Sequence, residues 1–530
     1  MKRRDLLRAS AALPVAASSG LASDAEAKKG KGKRKNKRKK SGRSFAGMNV
    51  VLFITDQQRA TMHFPDGWEE ANLPGYTRLK RNGLTFDRAF CSACMCSPSR
   101  ATLFTGLFPA QHGVKYTLEE DMPSPQYPQV ELPLDLPNLA TVMKAAGYQA
   151  PYKGKFHLSK PEGADWAPND VNKYGWERWN PPDAGANQAI DQFGGGDPNN
   201  DGRFMNDNGP YETGDEGVFE FLKSDAARQQ PFFLTVSLVN PHDVLAYPKL
   251  YDQPGAGYDD SDLAGTIGLP ETVHESLDTK PTAQKQFLLL SAGIGPLPTD
   301  QMKQNYINFY GNLIKESDAY LNQILDTLEQ QGMLENTLVI MTSDHGEMGM
   351  AHGGMRQKMF NFYEETLRVP LVFSNPKLFP KPVSTNAMVS HVDFLPTMAS
   401  LLGVPGSSRG AWQGVDYSKV LRKPKKHKKG VQNYVVFTFD DFQAGQASGP
   451  YVQPPNHITS IREGRYKLAK YYDVNGAIPE QWEMYDLKHD PLETNNLANP
   501  GAKLNKNQRK ELNRLKNKLA QVEATRLQPL

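Results

Sequence analysis

Cysteine is scarce in this 530-residue chain, and its three copies, Cys91, Cys94 and Cys96, fall within six residues. A disulfide scaffold needs distant pairs, so that class is excluded. Cys91-Ser92-Ala93-Cys94 has C-x-x-C spacing, yet no second pair or histidine pair completes a zinc site, which leaves incidental spacing or a local disulfide. Long hydrophobic runs are missing too. No segment beyond the N-terminal region is apolar for long enough to span a bilayer. Without an internal repeat, a solenoid or propeller array is excluded. An apolar content of 38% supports a globular core, and the length predicts one large domain with a smaller companion.

Acidic residues are sparse at the N-terminus. Residues 1–43 hold 15 of the 62 Lys and Arg but only 3 of the 58 Asp and Glu, so the remainder, with 47 against 55, is net acidic. Met1-Lys2-Arg3-Arg4-Asp5-Leu6-Leu7-Arg8 precedes an alanine-rich run ending near Ala25-Glu26-Ala27. This resembles a twin-arginine signal over residues 1–27, which implies export through the Tat translocase to the periplasm, the cell surface or the medium. Residues 28–44 read as a basic linker, whose eleven Lys and Arg between Lys28 and Arg43 predict disorder. No folded surface or base-stacking aromatics accompany them, so nucleic acid is excluded as a partner. Attachment to an anionic envelope polymer and a solvated spacer are the readings left.

The informative stretch is Cys96-Ser97-Pro98-Ser99-Arg100-Ala101-Thr102-Leu103-Phe104-Thr105-Gly106. A small reactive side chain ahead of a proline turn and a helix-compatible run predicts a cysteine at a helix N-terminus. The free N–H groups, the macrodipole and Arg100 would favour an anion there and make the thiol acidic.

Three apolar runs have the form of strands buried on both faces: Asn49–Gln57, Phe232–His242 and Thr337–His345. Each ends in Asp, Asn or His, and ligands of open α/β sheets bind beyond the carboxyl ends of strands. Pro370–Phe373 is a fourth candidate strand. Helical stretches at Leu136–Ala146 and Tyr306–Gln331 alternate with these runs, which suits βαβ units around a mostly parallel sheet. Long Gly- and Pro-rich loops, roughly 161–215 and 251–300, are expected to wall the pocket; Trp166, Trp176 and Trp179 in the first receive no role. From about Gly430 short strand-like runs around the Asn475-Gly476 turn predict a small antiparallel sheet. A closing helix carries Leu512, Leu515, Leu519 and Val522 on one face.

C-S-P-S-R followed by A-T-L-F-T-G resembles the signature of the formylglycine-dependent sulfatases of the alkaline phosphatase-like superfamily. Gly154-Lys155-Phe156-His157 is similar to that family's G-K-W-H segment. The stretch Met484-Tyr485-Asp486-Leu487 through Asn496-Leu497 resembles its C-terminal region. The resemblance covers Val50 to Leu497. It implies an alkaline phosphatase-like central, mostly parallel sheet flanked by helices, over 45–430, with a smaller α+β subdomain containing an antiparallel sheet over 431–530. It further implies hydrolysis of a sulfate monoester, sulfated carbohydrate among the substrates. On that resemblance Cys96, oxidised to formylglycine by a maturation enzyme, would serve as the nucleophile.

By position, Asp56, Gln57, Asp344 and His345 would hold one divalent metal together with the residue at Cys96, calcium ahead of manganese or magnesium. Gln57 departs from the commoner second aspartate. Arg100, Lys155, His157, His242 and Lys358 carry over as catalytic groups: His242 with Lys358 at the leaving oxygen, Lys155 and His157 on one side of an extended strand facing the nucleophile. His112 and His352 read as structural, and Glu347 as a group behind the metal site without an assigned role. Two rivals stand beside this: a phosphonate monoester or phosphodiester hydrolase on the same site, and a non-catalytic polyanion-binding protein with an unmodified Cys96.

Overall fold

Among the described residues twelve strands order the chain: β1 (Asn49–Thr55), β2 (Gly83–Phe90), β3 (Ala93–Cys94), β4 (Tyr152–Gly154), β5 (Phe233–Ser237), β6 (Thr337–Ser343), β7 (Leu371–Ser374), β8 (Val383–Ser390), β9 (Tyr434–Phe439), β10 (His457–Glu463), β11 (Tyr466–Tyr472) and β12 (Gln481–Asp486). Seven of them form one sheet in the order β4-β5-β1-β6-β7-β2-β8. The computed structural model describes residues 43–119, 129–186, 189–206, 215–444 and 450–530. The expected signal 1–27, and all of the linker 28–44 but its last two residues, lie outside these. From Gly42 onward the chain forms one compact unit.

β4, β5, β1 and β6 are mutually parallel neighbours, with Val51 of β1 opposite Leu234 on one side and Val339 on the other. Their carboxyl ends therefore share one edge. The continuity of the apolar run in β1 has a direct cause. Val50, Leu52 and Ile54 belong to the core on one face, while Val51 and Phe53 belong to the core on the other. Alternate side chains point to opposite faces, so a strand covered on both sides needs an apolar residue at every position.

The first face is covered by the helices Cys96–Thr105 and Phe394–Leu402, the second by Asp300–Gln330. That last helix begins six residues before the sequence expectation because Thr299 caps it, accepting from the Met302 N–H. The expected Leu136–Ala146 helix is shorter, Leu139–Lys144, because Asn138 provides the cap. Among the described residues no helix is long and apolar enough to cross a membrane.

The fourth candidate strand exists as β7 but runs antiparallel to both β6 and β2. Its exit is thus at the opposite edge, and the fourth strand feeding the polar edge is the three-residue β4. The second sheet has the order β12-β11-β10-β9-β3 and is antiparallel except at β3/β9. The Lys506–Arg526 helix buries Leu515, Leu519 and Val522 against Ile461 and Leu468 of that sheet, as its apolar face predicts. Through β3, the residues just before Cys96 join this sheet, with Cys94 opposite Phe439.

Candidate active site

Cys96 is the first residue of its helix, as the sequence predicts, and every residue of that helix is buried. The helix stops at Gly106, whose φ of 68° is left-handed and whose missing side chain leaves room for Pro396 and Trp412. The three cysteines are free, so the C-x-x-C spacing makes no disulfide; Cys91 and Cys94 point their thiols at the carbonyls of Thr366 and Lys358. The expected acidity of Cys96 is not found. Burial, and next the Asp56 carboxylate, push its thiol up to about 11. Removing water from a thiolate costs more than the helix dipole returns.

Asp56 follows β1 and Asp344–His345 follow β6, so adjacent parallel strands bring them together at one edge. Ligand atoms of Asp56, Cys96, Asp344 and His345 all lie within 4.8 Å of one another. His345 Nε2 is 3.2 Å from Cys96 Sγ and 3.7 Å from Oδ1 of each carboxylate. Its Nδ1 faces the Gly346 carbonyl at 3.0 Å, which can only accept, so Nδ1 carries the proton and Nε2 presents a lone pair. Lone pairs on two oxygens and one nitrogen converging in a buried place are the donor set of a divalent cation, and these residues fit one.

Arg100 decides which oxygens face that centre. Its Nε donates to Asp344 Oδ2 at 3.0 Å, Nη2 to Asp56 Oδ2 at 3.1 Å, and Nη1 to the Lys155 carbonyl and Ser237 Oγ at 2.9 and 2.7 Å. Both Oδ2 atoms are thereby turned outward and both Oδ1 atoms inward. The guanidinium is thus committed to the protein's own carboxylates and carbonyl, not held out toward an incoming ester. Burial opposes its charge, but Asp344 and Asp56 outweigh burial and raise its pKa. Asp56 is likewise held well below the usual carboxylate range: burial opposes this, and Lys155, His242 and Arg100 prevail.

Lys155 Nζ contacts Asp56 Oδ2 at 2.6 Å and also donates to the Gly185 carbonyl. The G-K-F-H segment is not the extended strand expected: Gly154 ends β4, and Lys155–His157 turn away from it. Gly154 has φ 112°, and a side chain there would overlap the Ser237 carbonyl; His157 has φ 56°. The turn is held by Asp183, which accepts from the N–H groups of Phe156 and His157 at 2.9 and 2.6 Å. His157 Nε2 faces the Leu118 carbonyl at 2.6 Å, and its Nδ1 has no hydrogen-bond partner. Burial, then Lys155 and Arg100, hold this ring well below its ordinary pKa.

His242 follows β5, its Nδ1 likewise without a hydrogen-bond partner, and burial and Lys155 keep it well below its ordinary range. Lys358 donates to Gln57 Oε1 at 2.6 Å, and Gln57 Nε2 donates to Glu347 Oε2 at 2.5 Å. The other Glu347 oxygen accepts from Tyr306 Oη and from the N–H groups of Gly349 and Gln357. Glu347 is therefore the anchor of the Gln57–Lys358 pair. Lys155, His242 and Lys358 all act electrostatically on Asp56 or Cys96, so the six catalytic candidates and the four metal-site candidates occupy one buried cluster.

Asp183 and Ser237 carry no motif and are visible only in three dimensions. The loop 161–215 reaches the cluster through Asp183 and Gly185, but Trp176 and Trp179 are buried in the core. The loop 251–300 comes up beside His242 through Tyr258, which donates to Asp243 at 2.7 Å and accepts from Asn240 at 3.0 Å, and further along meets the C-terminal sheet, where Lys280 donates to Tyr485 Oη and the Glu493 carbonyl. His112 bonds Thr102 and His352 stacks on Tyr363, both structural as read.

The parallel strand ends of an α/β sheet thus gather two carboxylates, an imidazole and a helix-borne cysteine, and the comparisons with known proteins place this chain among the hydrolases of the alkaline phosphatase-like superfamily. The chain belongs to the sulfatase family and is a sulfuric ester hydrolase: the family model "Sulfatase" matches residues 48–404, and "N-sulphoglucosamine sulphohydrolase, C-terminal" matches 352–524. It is similar to a choline-sulfatase of Rhizobium meliloti, with 26% identity over 85% of this chain and 82% of that protein. A Delta 4,5-hexuronate-2-O-sulfatase of Bacteroides thetaiotaomicron is 26% identical over 78% and 77%. Among solved structures, a 2-O GAG sulfatase has TM-score 0.65 at 20% identity, covering 90% and 92% of the two chains. The phosphonate monoester hydrolase of Agrobacterium radiobacter has 0.63 at 21%, covering 90% and 96%. At such identities these two show the fold alone.

Proposed function

We propose that this sulfatase cleaves sulfate monoesters of carbohydrates through a formylglycine derived from Cys96, with one divalent cation held by Asp56, Gln57, Asp344 and His345. The observation that carries the reading is Cys96 Sγ lying inside the Asp56, Asp344 and His345 donor set. A cation there supplies neutralisation of the sulfuryl oxygens. Calcium and magnesium suit the oxygen donors, calcium best, and the His345 nitrogen is the feature that favours manganese. The thiol itself is a poor nucleophile, because burial and Asp56 keep it protonated. Oxidised by a maturation enzyme to the aldehyde and hydrated, the same side chain offers an oxygen for attack on sulfur.

Arg100 orients the carboxylates, and Lys155 and Lys358 supply fixed positive charge in a water-poor site, where it acts more strongly than in water. His242 gives a proton to the departing alkoxide with Lys358 beside it. Its ring is neutral in the resting protein, so this role requires the negative charge of the bound ester to raise its pKa. His157 takes the proton released when the diol reverts to the aldehyde and sulfate leaves; its unpartnered Nδ1 is free to accept it.

The carbohydrate assignment draws on the name of the hexuronate-sulfatase relative. A second reading, phosphonate monoester hydrolysis, is favoured by one observation: Gln57 removes a negative charge from the donor set, and a phosphonate hydrolase shares the fold. Rates on aryl sulfate and aryl phosphonate esters decide between the two. The intact mass of the peptide carrying Cys96 tests the mechanism: loss of the sulfur is expected after expression with a maturation enzyme, and a retained thiol in active enzyme overturns it. Export through the Tat translocase to the periplasm, the cell surface or the medium belongs to the same proposal, supported by Arg3-Arg4 and the alanine-rich run that follows. Replacing both arginines with lysine and fractionating the cells tests it.

A further inference from the structure

The body of this protein is net acidic, yet residues 417–439 contain seven Lys and Arg and no Asp or Glu. Five of these, Lys423, Lys425, Lys426, Lys428 and Lys429, are exposed on one loop. The loop is built, not frayed: the N–H groups of Lys426 and His427 donate to the Lys423 carbonyl, and Gly430 N–H to the His427 carbonyl. Gly430 seats it against β8, where a side chain would press on Ala387. Among the described residues none of the five ammonium groups lies within ion-pair distance of a carboxylate.

Other cations gather at the same place. Arg422 and Arg409 both bond to Ser400, and Arg422 Nη1 donates to the Arg43 carbonyl at 3.1 Å. Arg43 is held by the Leu378 carbonyl at 2.5 Å and lies over the Phe379 ring, two residues from the exposed Lys381. In the sequence Arg43 is also the last member of the eleven-cation run that starts at Lys28. Segments far apart in sequence thus deliver cations of one sign to one region.

That region is not the catalytic edge. Leu378 follows the end of β7, and β7, antiparallel to β6, ends where β1 and β6 begin. The catalytic groups stand where β1 and β6 finish. The two surfaces are separated by the length of the strands, about 20 Å for seven residues.

We propose that the Lys423–Lys429 loop, with Arg409, Arg43 and Lys381, is a docking surface for an anionic polysaccharide, separate from the catalytic cluster. A dense set of lysines with no bound counter-charge attracts a polyanion over a Debye length and binds it in a salt-dependent way. No exposed large apolar side chain falls in the loop or its neighbours among the described residues, so the surface offers nothing to insert into lipid. Nor does it offer an aromatic platform for stacked bases. Lysine ammonium groups suit the separate point charges of sulfate and carboxylate along a sugar chain. The choice of polysaccharide over other polyanions rests on the sulfatase reading above; the existence of the surface does not.

The test uses the full chain with all five lysines changed to glutamine (K423Q, K425Q, K426Q, K428Q, K429Q) beside a second variant lacking residues 28–41. Binding to immobilised dextran sulfate is measured across a salt series, with uncharged dextran, anionic lipid vesicles and duplex DNA as comparisons. The five-lysine variant is expected to bind dextran sulfate roughly tenfold or more weakly at low salt, with a shallower salt dependence. Its thermal midpoint and its hydrolysis of a small aryl sulfate stay those of the parent. Unchanged binding in the five-lysine variant overturns the proposal, as does complete loss of binding from the 28–41 deletion alone. Tighter binding to vesicles or DNA than to dextran sulfate overturns the polysaccharide assignment. If the parent does not hydrolyse the aryl sulfate, the enzymatic reading fails while the binding result is read on its own.

Discussion

Gln57 donates its side-chain amide to the Glu347 carboxylate at 2.5 Å, and its carbonyl oxygen accepts from Lys358 at 2.6 Å. The amide is directional, so the residue that costs the site one negative charge also tells Lys358 where to stand. Changing Gln57 to Glu sets two carboxylates against each other and is expected to destabilise the fold by about 1–3 kcal/mol. Adding Glu347→Gln returns a donor to the contact and should recover part of that loss. Chemical denaturation of both singles and the double provides the cycle. A double variant no better than the sum of the singles removes the amide from this role.

Arg100 is expected to tolerate no conservative replacement. Lysine keeps the charge but lacks the planar fork that reaches Asp344, Asp56, the Lys155 carbonyl and Ser237 together. R100K is expected to lose about a hundredfold or more in kcat with little change in KM, because the carboxylates lose their orientation. R100A leaves buried carboxylates uncompensated and should cost about 3–5 kcal/mol of stability. Wild-type kcat in R100K refutes the assignment.

A chelator should lower both activity and thermal midpoint, since whatever binds only the folded site stabilises it by mass action. Calcium is expected to restore both. Replacing His345 with Asn exchanges the inward nitrogen lone pair for an amide oxygen, so the ratio of calcium to manganese affinity should rise. Calorimetric titration of the chelated protein measures it, and an unchanged ratio argues against His345 as a ligand.

His352 gives a pH-dependent term in stability. Burial opposes protonation, but the hydrogen bond with Glu275 at 2.6 Å and the Glu365 carboxylate 3.7 Å away outweigh it and raise the ring from 6.5 to about 9. Because the folded value lies above the unfolded one, the stabilisation is complete below about pH 6.5 and fades as pH rises through 9. Glu365, held down to about 2, stays ionised throughout this window. His352→Gln should therefore be destabilised relative to the parent by on the order of 3 kcal/mol at pH 6, with a clearly smaller gap at pH 10. A gap independent of pH sinks this account.

Much of the site was legible because its chemistry sits at strand ends. The runs leading to Asp56, His242 and Asp344 announce buried strands by being apolar at every position, and parallel pairing then makes their exits neighbours without further information. The reading failed where local pattern underdetermines direction. Pro370–Phe373 looks like its neighbours, yet it runs the other way, and nothing in four residues encodes that. The acid thiol was misjudged for a related reason: a helix start can be read from Cys96-Ser97-Pro98, but the Asp56 carboxylate beside it, forty residues away, cannot. Asp183 and Ser237 act through loop and backbone contacts that leave no spacing to recognise. The lysine loop escaped notice because a charge run means little until the fold shows which other cations share its surface.

Cys96 keeps only 2% of its surface exposed. On the proposed chemistry, a second protein must grasp this side chain and oxidise it, and a side chain with so little exposed surface is out of an enzyme's grasp once the fold has closed. The encounter must come before the chain from β1 through Lys358 has finished folding. The yield of working enzyme is then set by a race between two clocks, the speed of folding and the abundance of the modifying partner. Slower folding, from a colder culture or a weakened core, should raise the fraction converted even though it lowers the stability of the final protein.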